Sequence, residues 1–294
     1  MTYHTQDAFD SRMEQRRSSP TPLRKHAVFY HISCMNHWRT VVKEQLRLCR
    51  FSGLTDIFAC VIGQNDEIQD VREIALAVGI NLTILSQSDD LSQCERPTIN
   101  ALWKWCRENP DGALTYFHTK GVTAPPNTDH HANKTQWRRL MSKDVIHQWQ
   151  RNLTLLETAD IVGVCWEEDR EWPHFCGNFW AARADWVANL QNPEEYRVSR
   201  PDFTWAGGSW RDRFWVETWV GSQPWHHIES LVCRNEELWT DAVYRHDVSI
   251  SGFDWDASTD ENLRSFFDKV YVINLSHRPD RLEAFRANLR ECGW

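Results

Sequence analysis

His118-Thr119-Lys120-Gly121 is the stretch of this chain best equipped for chemistry. It follows an apolar run, Ala113–Phe117, and brings a cation, hydrogen-bond donors and a glycine to its end. Lysine is a point charge, imidazole donates or accepts, and glycine lets a backbone approach a ligand closely. Such a turn suits a diphosphate. When a diphosphate leaves a sugar, the growing negative charge must be met by fixed cations or by a metal. A solvated turn at a strand end has the same composition, so both readings stay open on this motif alone.

A second cluster follows another apolar run, Asp160–Val164. It reads Pro173-His174-Phe175-Cys176-Gly177-Asn178-Phe179-Trp180. With His174, the Asn178 amide offers donors and an acceptor to sugar hydroxyls, and the Trp180 indole offers a face for a pyranose. The alternative is a tight turn leading into core aromatics. Arg138, in Trp137-Arg138-Arg139, has the fork geometry for phosphate, or belongs to a charged helix face with one of the two arginines turned to solvent. Glu217, among aromatics in Val216-Glu217-Thr218-Trp219, is a candidate base for an acceptor hydroxyl or a partner in a surface ion pair.

Acidic residues give less. Asp89-Asp90 follows the third apolar run, where it would touch a nucleotide or a metal. Asp254-x-Asp256 has the spacing that holds Mg²⁺ or Mn²⁺ beside a diphosphate, but it follows no apolar strand. Asp129-His130-His131, with His118 and His174, would be the metal set of a zinc hydrolase. Yet no His-x-x-x-His places two ligands on one helix face.

The elements that must position these residues alternate in type. Ala27–Ile32, Ile57–Ile62, Leu82–Leu85 and Leu114–Phe117 read as strands, the second of them buried, and Ile161–Val164 as a fifth. Helices are expected over 36–49, 66–78 and from Pro97 past Cys106. A long one is expected over 134–156, with Trp137, Met141, Val145 and Trp149 on one face. Alternation of this kind predicts a mainly parallel α/β sheet covered on both faces, with ligands outside the carboxyl ends of its strands. Beyond residue 170 the pattern becomes irregular and aromatic, with short helices over 184–190 and 211–220. No Gly-x-Gly-x-x-Gly follows the first strand, and no Walker lysine loop or Gly-x-Ser-x-Gly elbow occurs.

Composition sets outer bounds. A formal charge of −8 argues against a general nucleic-acid partner. No run of apolar residues is long enough to span a membrane. The nine scattered cysteines, with no Cys-x-x-Cys, point to reduced thiols rather than a disulfide frame. With no apolar leader core, the expected compartment is cytoplasmic, with peripheral attachment to a membrane compatible. The seventeen tryptophans suit sugar stacking or a large core. Residues 1–24 read as a disordered lead, 25–246 as the main domain and 247–265 as a linker. The βα unit over 266–294 reads as the truncated start of a second domain.

Several of these segments together resemble a known group. Tyr116-Phe117-His118-Thr119-Lys120-Gly121, Glu95-x-Pro97-Thr98, Trp137-Arg138 with Met141, Pro173-His174-Phe175-x-Gly177-Asn178-Phe179-Trp180 and Glu217-x-Trp219 are similar to segments of glycosyltransferase-like proteins of the rhamnan-synthesis and cell-surface-glycan class. The likeness spans roughly residues 25–235. Separately, Val270–Arg281 looks like the opening of a family 25 lipopolysaccharide glycosyltransferase domain. The resemblance implies a GT-A-type, Rossmann-like sheet with an aromatic-rich acceptor-side half.

Most such enzymes carry Asp-x-Asp after the fourth strand, where this chain has His118-Thr119-Lys120. The expectation is therefore that Lys120 replaces the charge of a divalent metal, with Mn²⁺ or Mg²⁺ as the alternative. The function expected is transfer of a sugar from a nucleoside diphosphate to a glycan or lipid-linked acceptor in surface polysaccharide synthesis. His118, Thr119, Lys120, Gly121 and Arg138 would hold the diphosphate, and Asp89 and Asp90 would lie on the nucleotide side. His174, Asn178 and Trp180 would meet sugar or acceptor, with Glu217 and His118 catalytic. A downstream transferase domain would be a partner in the parent chain. The competing expectation is a non-catalytic carbohydrate-binding or scaffold domain of a multidomain transferase.

Overall fold

The computed structural model describes residues 22–125, 128–168, 173–199, 211–223, 227–232 and 236–257, with isolated positions before residue 15. The strand and helix expected over 270–289 lie outside the described residues, as does most of the lead expected over 1–24. The chain divides into two compact units, 1–253 and 254–294. In the second, the backbone N–H of Asp256 donates to Asp254 Oδ1 at 2.9 Å, a local turn.

The first unit begins as a strand–helix alternation. Strands β1 (Lys25–Ser33), β2 (Asp56–Ile62), β3 (Asn81–Ser88) and β4 (Gly112–His118) are joined by helices α1 (Trp38–Phe51), α2 (Asn65–Ala77) and α3 (Arg96–Glu108). Each boundary has a local cause. In α1, Trp38, Val41, Val42, Leu46 and Cys49 recur at helical spacing and are buried, and Gly53 at φ +81° lets the chain leave the helix. Gln64 and Glu67 form a reciprocal capping box at the start of α2. Pro97 opens α3, where its missing N–H costs nothing. Every residue of β4 is buried, the signature of a central strand with helices on both faces.

Among the described residues the sheet has seven strands in the order β3-β2-β1-β4-β8-β5-β9. Strands β5 (Ile161–Gly163) and β9 (Ile228–Ser230) run parallel to each other, and β8 (Trp180–Arg183) runs antiparallel between β4 and β5. This is the mainly parallel, Rossmann-like α/β sheet that the sequence leads one to expect. The antiparallel strand is an addition. Its register pairs Trp180 with Tyr116 and with Gly163, so its amino end sits at the edge where β4 and β5 finish.

The long helix also differs from expectation. Helix α4 (Asp129–Met141) starts earlier than residue 134, because Thr128 Oγ1 accepts from His131 N at 3.1 Å and caps it. Ser142–His147 then widens into a π-helical turn, and α5 (Trp149–Leu155) starts anew. The carbonyls freed at the break are met by side chains. Asn152 Nδ2 donates to Asp144 O at 2.9 Å, and Arg151 Nη2 to the same oxygen at 3.0 Å. The π turn alters the stripe, leaving Trp137, Met141 and Val145 buried and Trp149 only half-buried.

The described aromatics of the second half build core rather than surface, and Trp172, Trp205, Trp210 and Trp225 lie outside the described residues. A two-stranded ribbon of β6 (Trp166–Glu167) and β7 (His174–Phe175) comes before β8. Helices α6 (Ala184–Val187), α7 (Pro193–Ser199) and α8 (Arg211–Thr218) follow it. Trp166, Phe175, Trp180, Trp186, Trp215 and Trp219 join Phe29, Leu102 and Tyr116 in one buried cluster. Burying a large apolar side chain contributes about 1.5–3 kcal/mol, so these indoles fix how the second half sits on the sheet.

Candidate functional site

The carboxyl edge of the sheet carries two cavities that share one wall. The larger, of about 650 Å³, lies over the ends of β1 and β4 and is lined by His31, Ser33, Glu95, Arg96, His118 and Trp215, among others. The smaller, of about 380 Å³, is lined by Lys134, Trp137, His174, Cys176, Phe214 and Glu217, among others. Lys120, Gly121 and Thr123 line both.

The shared wall is the turn after β4, and its shape is held by neighbours. Thr119 N donates to His31 O at 3.1 Å, and Ser33 N donates to Thr119 Oγ1 at 2.9 Å, so the turn is zipped to the end of β1. Gly121 has φ +90°, and a Cβ there would stand 3.0 Å from the Lys134 Cβ, so only glycine fits without a shift of α4. Arg138 Nη1 donates to the Lys120 carbonyl at 3.0 Å.

Lys120 is 8 % exposed, and its ammonium sits over the Trp137 ring, 4.2 Å from the centroid. Among the described residues it has no carboxylate partner within salt-bridge distance. Lys134 shares the same ring, 4.4 Å from the centroid. Two ammonium groups share one indole beside a cavity whose wall also carries the Glu167 and Glu217 carboxylates.

His118 lies under the larger cavity. Its Nε2 is 2.9 Å from Gly177 O, and since a carbonyl only accepts, Nε2 carries the hydrogen. Its Nδ1 faces Glu95 Oε1 at 3.7 Å. Glu95 is the hub of a buried network. Its Oε2 accepts from Tyr116 OH at 2.7 Å and from Asn178 Nδ2 at 2.6 Å, while Asn178 Oδ1 accepts from Trp180 Nε1 at 2.9 Å. Burial, with the Glu95 carboxylate beside it, holds the Tyr116 phenol well above its ordinary pKa, so it stays a donor. His31, the neighbour of His118 across β1 and β4, has Nδ1 3.0 Å from Thr98 Oγ1.

The structure places the expected residues in two layers. His118, Thr119, Lys120, Gly121, His174 and Glu217 line the cavities. Asn178 and Trp180, expected at sugar or acceptor, are each 0 % exposed and lie beneath the site. The amide of Asn178 is spent on Glu95 and Trp180, so it organises the floor rather than offering itself to a ligand. Arg138, expected on the diphosphate, is 2 % exposed and pairs with Glu44 Oε1 at 3.1 Å. Arg139 does not turn to solvent, because its Nη2 is 3.0 Å from the other oxygen of Glu44. Asp89 and Asp90 are exposed, and Asp90 Oδ1 caps its own turn by accepting from Ser92 N at 2.9 Å.

Glu95, Trp137, Met141 and Glu44 have roles that residue type alone did not assign. Gly177 has φ +90°, and a Cβ there would stand 2.6 Å from Met141 Sδ and 3.0 Å from Trp137 Cζ2. That close approach joins the second motif to α4. The signal was present in the chain, since Glu95-x-Pro97-Thr98 and Trp137-Arg138 with Met141 accompany the polar motifs.

The donor set does not fit Mg²⁺ or Mn²⁺ at the turn after β4. His118-Thr119-Lys120 brings a cation where such ions need oxygen ligands. Glu95, the carboxylate nearest His118, is already bonded to Tyr116 and Asn178. Among the described residues no three His, Cys, Asp or Glu side chains converge to hold a metal. His131, part of the alternative zinc set, packs edge-on against His37 at 4.3 Å instead.

Fold and site together define a Rossmann-like α/β domain with paired cavities at the carboxyl edge of its sheet. The chain belongs to the family described as a domain of unknown function (DUF8361), whose model matches residues 27–228. No curated protein matches it. Among solved structures, 4-diphosphocytidyl-2C-methyl-D-erythritol synthase from Anaerococcus prevotii is similar over 74% of this chain and 91% of its own, at 11% identity and a TM-score of 0.40. No helix among the described residues is long and apolar enough to cross a membrane.

Proposed function

We propose that this protein is a glycosyltransferase that takes a nucleoside-diphosphate sugar in the larger cavity and a glycan or lipid-linked acceptor in the smaller one. The observation that carries the reading is Lys120. It is a nearly buried cation without a carboxylate partner among the described residues, on the turn that both cavities share. A leaving diphosphate would meet its charge at the moment of bond breaking. Glu217 is 7 % exposed and lines the smaller cavity, where it would take the proton of an acceptor hydroxyl. His118, fixed by Gly177 on one side and facing Glu95 on the other, would orient the donor. The place of the reaction in surface polysaccharide synthesis is part of the same proposal. The buried state of most described tryptophans supports this reading over a carbohydrate-binding scaffold, because few of those described indole faces are open to a sugar.

The test is a thermal-shift panel of nucleotide sugars, followed by transfer assays with the ligand that raises the melting temperature most. A rise with one nucleotide sugar, abolished in Lys120→Ala, is expected. Glycan binding with no response to any nucleotide sugar would instead select the scaffold.

A further inference from the structure

Cys165 and Cys176 flank the β6–β7 ribbon. Trp166 pairs with Phe175 in register, and just outside that pair Cys176 N donates to Cys165 O at 2.8 Å. The two side chains therefore stand opposite each other across the ribbon, near enough that Cys165 is the largest influence on the Cys176 thiol. The Cys165 thiol in turn donates to Glu236 O, with sulfur and oxygen 3.1 Å apart. Cys165 adopts φ +56°, a left-handed backbone conformation that a non-glycine residue holds only when its surroundings enforce it. Cys176 lines the smaller cavity beside Lys120 and His174, and Cys165 is wholly buried behind it. One of the pair therefore lies in the wall of a space that a small reagent can enter, and the other lies behind it across the ribbon.

We propose that Cys165 and Cys176 are a dithiol–disulfide modification site, closed by a small-molecule disulfide of the glutathione type that enters through the smaller cavity. Cys176 attacks one sulfur of the reagent, forms a mixed disulfide and expels one thiolate. Cys165 then attacks the Cys176 sulfur, forms the internal disulfide and expels the second. The cysteine pair loses two electrons and two protons, and the reagent becomes two thiols. The bond would staple the ribbon that carries His174 and take a thiol out of the cavity wall. The site rests on the two sulfurs and does not depend on the transferase reading.

The neighbouring Cys165 side chain, with burial and the charge of Glu167, holds the Cys176 thiol well above its ordinary pKa, and Lys120 opposes this. Attack needs the thiolate, so closure is slow at neutral pH and quickens as pH rises.

The test uses the full, folded chain incubated with oxidised glutathione, alkylated, cut with trypsin and mapped by mass. Arg170 lies between the two cysteines, so the disulfide joins two separate tryptic peptides. Expected are a joined pair lacking two hydrogens, lost on reduction, and about tenfold faster closure per pH unit below the thiol pKa. Cys165→Ser should stop at a glutathione adduct on Cys176, and Cys176→Ser should give neither product. The site is overturned if the native chain yields no joined peptide under conditions that glutathionylate its other thiols. It is overturned equally if Cys165→Ser carries no adduct on Cys176.

Discussion

The imidazole of His118 donates from Nε2 to the carbonyl oxygen of Gly177 at 2.9 Å, across 59 residues of chain. That bond joins the turn after β4 to the turn before β8. It forms because β8 runs antiparallel and brings its amino end to the edge where β4 stops. The site depends on this reversal. With a parallel β8, the Cys176–Phe179 turn would emerge at the opposite edge of the sheet, far from Lys120.

Lys120 should separate activity from stability. Its side chain contributes a cation–π contact of about 0.5–2 kcal/mol, so Lys120→Met should move the urea midpoint little. Transfer from a nucleotide sugar should fall by about 10²-fold or more, the usual loss when a charge-stabilising group is removed. The same assay in excess EDTA should run at the untreated rate. Loss of transfer in EDTA with recovery on Mn²⁺ would assign the charge to a metal.

Arg138 should behave in the opposite way. It bonds Glu44 and the Lys120 carbonyl while nearly buried, and removing one member of a buried pair costs about 3–5 kcal/mol. Arg138→Met should show that loss in urea denaturation, at the lower end because Arg139 still holds Glu44. Adding Glu44→Gln should cost less than it does in the wild-type chain, since the pair with Arg138 is already broken and only that with Arg139 remains to be lost. A simple sum of the two single losses would mean that the residues act independently.

Strands β1, β2 and β4 were legible because buried apolar runs allow few other structures, while β3, at the sheet edge and with no buried residue, rested on four residues alone. Strand β8 was not legible. Trp180-Ala181-Ala182-Arg183 has little strand propensity, and its place is set by pairing with Tyr116 and Gly163, far away in the chain. The site was half legible for a related reason. Residue types announce polar chemistry, but an amide that serves a ligand and one that serves a buried carboxylate look alike in sequence. Asn178 turned inward because Glu95, 83 residues earlier, supplies an acceptor at 2.6 Å. Arg138 did so because Glu44 waits on α1.

Asn178→Asp tests that inward role. The change puts a carboxylate oxygen where an N–H₂ now stands, 2.6 Å from Glu95 Oε2. Two carboxylates this close cannot both ionise, so the folded variant keeps a proton that the unfolded chain releases near pH 4. Its stability should therefore come closest to wild type near pH 4. It should then fall by about 1.4 kcal/mol per pH unit as pH rises, until the shared proton is lost. Asn178→Ala should cost stability with no added slope. Equal slopes for the two variants in urea midpoints would show that position 178 does not sense Glu95.

His26 should give the wild-type chain a slope on the acid side. Its ring stacks on Trp149 at 5.0 Å, with Nε2 2.9 Å from Thr115 Oγ1, and burial lowers its pKa to about 4. In the unfolded chain the value is about 6.5. Above that pH both states are neutral and the contribution is complete. As pH falls further, the unfolded chain takes up a proton that the folded chain refuses, so stability declines by about 1.4 kcal/mol per unit. The decline ends near pH 4, where the folded ring protonates too, after a loss of about 3 kcal/mol. His37 and His131, both lowered chiefly by burial, act in the same direction. His26→Gln keeps a hydrogen-bonding group beside Thr115 but cannot titrate. Its urea midpoint should change distinctly less than that of wild type between pH 6.5 and 4, and parallel curves would place the acid sensitivity elsewhere.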